Sequence, residues 1–237
     1  MSMRGLLGWT IAAVLMGGFL PAFATEPVGD ETFEGGFSCL KPSTKTDTAP
    51  IVCQSEINPS LPSFDFSLIW HSDKATGTRV LDRIEIRRKG EPQPFQVLDK
   101  VESNLPPDIA NSGFELLDLN FDGYLDLRVM RLVPAGPNTP YQNWLWSKDE
   151  GKFVENPGLD EITSPQFDAE SQEIVSHWRS SAAEHGADVY SYDGATPVLI
   201  HRETDKMAEG GACLRTFYDR IEDELRKTGS GPCKDDE

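Results

Sequence analysis

An all-β fold is predicted, an antiparallel meander closing as a sandwich or a propeller-like domain, and three observations predict it. Runs of alternating apolar and polar residues recur from residue 62 onward, the periodicity of half-buried strands. Gly, Pro, Asp and Asn separate the runs at short intervals, as turns require. Two of the runs, 114–117 and 125–130, flank an oxygen-rich loop, giving one strand–loop–strand unit near the middle of the 237-residue chain.

The first segment is not part of that fold. Residues 1–24 read as a secretory leader, with Arg4 as the positive start, an apolar stretch over 6–19, and Ala22-Phe23-Ala24 as the cleavage site. The apolar stretch is shorter than the roughly 20 residues a membrane span needs, and no later segment is apolar enough. The mature protein is therefore expected in the periplasm or secreted, without membrane insertion. Residues 25–36, acidic and Gly-containing, are expected to form a flexible tail. A small disulfide-linked segment is assigned to 37–58, and the main β domain to 59–237.

Within that domain, 64–70 is a strand with Phe64, Phe66, Leu68 and Trp70 on one face. Residues 80–88 form the next, with Val80, Ile84 and Ile86 together, followed by a turn at Lys89-Gly90 and a return over 95–98. After the central loop come 141–146, a turn at 149–151, and 152–154. Hairpins are expected over 166–168 with 173–179, over 189–192 with 198–202 through Asp193-Gly194, and over 213–218 with 224–228. The run 217–227 equally suits a short helix, because Ile221, Glu222, Asp223, Glu224 and Leu225 tolerate one. Residues 133–140 make the longest unstructured loop, and such loops often carry binding.

Four cysteines, Cys39, Cys53, Cys213 and Cys233, allow three pairings. An even count in an exported chain points to disulfides. Local closure, Cys39–Cys53 and Cys213–Cys233, is expected because each pair brackets one short segment. Charge restricts partners. The formal net charge is −17, and removal of the leader leaves 21 basic against 39 acidic side chains. Such a surface repels nucleic acid and anionic lipid and attracts basic proteins.

The central loop is the strongest chemical signal. Asp118, Asn120, Asp122 and Asp126 fall in a D-x-N-x-D-G-x-x-D pattern, with Gly123 at the sixth position. A hard cation such as Ca²⁺ takes about six to eight oxygen ligands, and alternate side chains of a tight loop supply them. Tyr124, at the seventh position, would lend its backbone carbonyl. Val129 stands where an EF-hand has a bidentate Glu, and the flanks are strands, so this is not an EF-hand. The competing interpretation is a metal-free turn, since Asp and Asn bond their own backbone readily. Three carboxylates repelling one another in one loop favour a structural calcium. The pattern occurs once, which argues against a repeat array.

Signals for catalysis are missing. There is no G-x-S-x-G elbow, no phosphate loop, and His71, His177, His185 and His201 stand far apart. The chain is expected not to be an enzyme. Tyr141, Trp144 and Trp146 cluster on one strand and Tyr190 and Tyr192 on another; each group is either core or an exposed strip for stacking on a partner.

The segment 114–127 resembles the calcium loop of Gram-negative periplasmic proteins related to an immunity protein. That immunity protein acts against the peptidoglycan-hydrolase effector of an antibacterial type IV secretion system. The group is similar in fold to inhibitors of invertebrate-type lysozyme, and its loop is shared with FG-GAP/VCBS-like repeats. The likeness continues through Asn143-Trp144-Leu145-Trp146, Gly151-Lys152-Phe153-Val154, 164–168, 176–179 and 192–202. It implies one structural calcium held by Asp118, Asn120, Asp122, Asp126 and the Tyr124 carbonyl. It also implies that a loop plugs the cleft of a basic, lysozyme-like peptidoglycan hydrolase, for which Ser180, Ser181, Gly186 and Tyr190 are the nearest residues. The alternative function is an adhesive or glycan-binding FG-GAP-type module using Tyr141, Trp144 and Trp146.

Overall fold

The computed structural model describes residues 31–32, 37–40, 49–109, 113–208 and 210–233; the expected leader lies outside them. Sixteen strands among the described residues form three antiparallel sheets, each a meander in chain order. The first sheet holds β1 (Glu31–Thr32), β2 (Ser38–Leu40), β3 (Ile51–Ser55), β4 (Phe64–Asp73), β5 (Thr78–Arg88) and β6 (Gln96–Leu105). The second holds β7 (Phe114–Leu117), β8 (Asp126–Met130), β9 (Tyr141–Ser147) and β10 (Lys152–Glu155). A short helix, α1 (Pro157–Asp160), leads to the third sheet. That sheet contains β11 (Pro165–Asp168), β12 (Glu173–Arg179), β13 (Glu184–Asp193), β14 (Thr196–Met207), β15 (Cys213–Ile221) and β16 (Glu224–Pro232).

The second sheet is the middle layer of a sandwich, and no sheet closes into a barrel. On one side Phe64, Phe66, Leu68, Ile84 and Ile86 of the first sheet meet Phe114, Leu127, Trp144, Trp146 and Phe153. On the other, Leu119 and Leu145 pack with Leu159, Ile162 and Ile174. This explains β9, in which all six residues from Tyr141 to Trp146 are buried. Its alternation sends Trp144 and Trp146 one way and Leu145 the other. Trp146 lies 5.1 Å from Phe153 and 5.6 Å from Phe64, ring centre to ring centre. Burying an aromatic side chain of about 150–250 Å² at ~25 cal/mol per Å² contributes roughly 4–6 kcal/mol, so these rings dominate the core.

Several expectations are corrected. On β5 the core face carries Leu81, Ile84 and Ile86, while Val80 is only half-buried. Against β4, Arg83 pairs with Ile69 and Leu81 with Trp70, so Asp82 is one extra residue on β5; this bulge changes which side chains point inward. The helical alternative for 217–227 is not adopted: β15 turns into β16 at Glu222 and Asp223, whose φ values are +50° and +68°. Within the expected flexible tail, Glu31 and Thr32 pair with Cys39 and Ser38. The small cysteine segment is continuous with the first sheet, since β3 pairs along β4.

Both disulfides form as expected, Cys39–Cys53 and Cys213–Cys233. The first joins directly opposed residues of β2 and β3. The second closes the outermost hairpin, β15–β16, which contains no buried residue and leaves β16 as the sheet's free edge.

Candidate metal centre

The loop between β7 and β8 folds as a series of side-chain-to-backbone turns. Asp118 accepts from the N–H groups of Asp122 at 3.1 Å and Gly123 at 2.8 Å. Asn120 accepts from Asp122 N–H at 3.3 Å, and Asp122 accepts from Tyr124 N–H at 3.0 Å. Gly123 sits at φ +83°, a left-handed conformation that side chains resist. Phe121, at φ +60°, sends its ring into the core beside Phe167 and Tyr192.

Neighbouring elements clamp the loop from both sides. Asn58 donates to the Gly123 carbonyl at 2.8 Å, and Leu125 N–H reaches the Ile57 carbonyl at 2.8 Å. From the third sheet, the Tyr192 hydroxyl donates to the Leu119 carbonyl at 2.9 Å. Burial, and then the charges of Asp126 and Asp118, push the Tyr192 phenol above its usual range. Lys148 stands 3.4 Å from the Asp122 carboxylate and 4.6 Å from the Tyr124 ring.

Asp126 has a special position. It is fully buried, and its two oxygens accept from Leu119 N–H at 2.8 Å and Trp146 N–H at 2.7 Å. It therefore ties the start of the loop to β9. Burial pushes its pKa up to about 8; the Trp146 and Leu119 hydrogen bonds pull it back, while Asp122 and Asp118 add to the rise.

The donor set suits a hard cation: Asp118, Asn120, Asp122 and Asp126 offer oxygens only, and an oxygen accepting one N–H keeps a second lone pair. The carboxylates are nevertheless engaged with backbone and do not converge tightly. Among the described residues, the one trio of His, Cys, Asp or Glu ligand atoms within 4.8 Å of one another is Asp205, Cys213 and Cys233. Both of those sulfurs belong to a disulfide, so that trio is not a metal site.

The partner residues expected from sequence separate into three places. Tyr141, Trp144 and Trp146 are buried, with Trp144 and Trp146 at 4% and 5% exposure. They are core, and the proposed stacking strip is withdrawn, because β9 is covered on both faces. Ser180 and Ser181 sit exposed in the β12–β13 turn, held by hydrogen bonds to the Glu184 carbonyl at 3.0 and 3.2 Å. Gly186 and Tyr190 lie within β13. Tyr190 lines an open cavity of about 250 Å³ together with Trp178, Asp188 and Arg202, and burial pushes its phenol up to about 12. Sequence reasoning gave Trp178, Asp188 and Arg202 no site role, since only strand register brings them together. The Asn156-Pro157 pair was a missed local signal: Asn156 caps α1 by accepting from Leu159 N–H at 3.1 Å.

No protein-family model matches the sequence, and neither does any curated protein. Among solved structures, the fold is similar to that of a Xanthomonas type IV secretion system related protein. The TM-score is 0.52 at 17% identity, over 76% of this chain and 99% of that one.

Proposed function

We propose that this is a periplasmic, calcium-binding inhibitor or immunity protein directed at a lysozyme-like peptidoglycan hydrolase. The observation that carries the reading is the fold likeness, which spans nearly all of the Xanthomonas secretion-related chain. Two disulfides support residence in an oxidising compartment outside the cytosol. The net charge of −17 favours fast encounter with a basic enzyme. The contact would be made by the β12–β13 turn, whose Ser180 and Ser181 are small, exposed and pre-ordered by hydrogen bonds. A pre-ordered turn loses little entropy on entering a cleft.

Calcium would be held by the side chains of Asp118, Asn120, Asp122 and Asp126 and by the Tyr124 carbonyl. Its charge would offset the repulsion among three carboxylates and lock the bend between the two middle strands. A ligand bound only by the folded state raises stability by mass action. The melting temperature is expected to fall in chelator, and Asp122→Ala to remove most of that difference. Equal melting temperatures with calcium and with chelator would end the calcium assignment.

The inhibitory reading is tested by turbidity assays of peptidoglycan hydrolysis with a panel of lysozymes, with calcium present. Inhibition at micromolar protein is expected, and Ser181→Arg should abolish it without moving the melting temperature, because Ser181 is exposed. Undiminished hydrolysis across the panel would count decisively against it. The adhesive alternative has lost its contact surface with the burial of Trp144 and Trp146.

A further inference from the structure

We propose that the cavity lined by β12, β13, β14 and the segment after α1 is a carbohydrate site that takes one neutral sugar ring of a glycan. Strand register assembles it. Trp178 stands opposite Gly186, Ser176 opposite Asp188, and Asp188 opposite Arg202. All therefore project from one face of the third sheet, and Glu161 and Thr163 complete the wall.

Trp178 is seated where only glycine fits beneath it. A Cβ on Gly186 would lie 2.7 Å from Trp178 Cζ2 and 2.1 Å from the Glu203 carbonyl oxygen. The indole thus lies against bare backbone and stays half-exposed along the cavity. Such a ring face attracts the polarised C–H groups of a pyranose. The indole N–H is shut off from solvent and has no hydrogen-bond partner among the described residues, so the ring offers the cavity its face and not its donor. Buried donors without acceptors are costly and uncommon.

The remaining groups select against charge. Arg202 grips Asp188 through two hydrogen bonds of 2.7 and 2.6 Å, and the Tyr190 hydroxyl donates to the same carboxylate at 3.2 Å. Asp188 is buried, so its charge is already matched and the cavity floor is neutral. Glu161 at the wall is exposed; it can accept from ligand hydroxyls but would repel phosphate or carboxylate. An aromatic platform, a hydroxyl-accepting carboxylate and a charge-matched floor describe a polyol with one apolar face. The volume of about 250 Å³ holds one ring, and the open side lets a chain continue. None of these residues belongs to the acidic loop or to the β12–β13 turn, so the proposal stands independently of calcium and of hydrolase inhibition.

The test is calorimetric titration of the full-length mature protein with glucose, galactose, mannose, N-acetylglucosamine and chitotetraose, and with inorganic phosphate as the anionic control. At least one sugar should bind with a dissociation constant of about 1 mM or tighter, a range typical of small contacts. Trp178→Ala should weaken that binding by at least about tenfold, equivalent to ~1.4 kcal/mol. Trp178→Phe, which keeps an aromatic platform, should weaken it less and guards against a folding defect. No heat with any sugar, binding unaltered in Trp178→Ala, or binding of phosphate in place of sugars would each overturn the proposal.

Discussion

Replacing Asp126 by alanine should destabilise the protein even when no calcium is present. Its two oxygens satisfy the N–H groups of Leu119 and Trp146 in a fully buried setting. Truncation strands both donors, and each stranded buried donor costs about 1–3 kcal/mol, so roughly 4 kcal/mol is expected in total. For a domain of this size each kcal/mol lowers the melting temperature by about 2–4 °C, so the loss should reach roughly 8–16 °C. Asp126→Asn keeps one acceptor oxygen and turns the other position into a donor facing an N–H. It should lose about half as much. Thermal denaturation followed by circular dichroism, in chelator, isolates this contribution from any metal. If Asp126→Ala melts within about 2 °C of wild type under those conditions, the residue is not a clamp, and the hydrogen-bond reasoning fails.

Gly186→Ala should be destabilising by about 1–3 kcal/mol, because its Cβ meets the Glu203 carbonyl oxygen at 2.1 Å; urea denaturation checks this, and an unchanged midpoint would show that Trp178 and β14 yield freely. Removing the Cys39–Cys53 bridge with paired serines should cost about 3 kcal/mol, as expected for a closed loop of this length, given its 14-residue separation; the same denaturation experiment reads it. The His201–Asp219 contact of 2.7 Å should be pH-dependent. The Asp219 hydrogen bond raises the His201 pKa, so its stabilising effect is full below the unfolded value near 6.5 and fades as pH rises through the raised one. The stability gap between wild type and His201→Gln should be wider at about pH 5.5 than at about pH 8.5; an equal gap would remove the coupling.

Strand existence was readable because the alternation in 64–70 reflects which side chains a sheet buries. The central strand–loop–strand and both cysteine pairings were readable for the same local reason. What local pattern does not encode is the relation between strands. The bulge at Asp82 depends on how β5 matches β4, so the face assigned to Val80 was wrong. The role of Trp144 and Trp146 was undecided until a sheet was found on each side of β9. The cavity around Trp178 was invisible, since its members come from separate strands and from the segment after α1, and only their register makes them neighbours. The acidic loop showed its oxygen donors in sequence, but not that Asp126 spends both oxygens on backbone.

The outermost hairpin has consequences beyond the folded molecule. Along its outer side β16 presents a row of backbone donors and acceptors unpaired among the described residues, a template on which another chain could polymerise. Arg226 and Lys227 discourage this by charge, and Pro232 interrupts the row at its end. The Cys213–Cys233 bridge keeps the ribbon shut, and an oxidising compartment favours it. A copy with that bridge reduced would therefore carry a loose, adhesive margin, which makes the closed bridge itself a safeguard against aggregation.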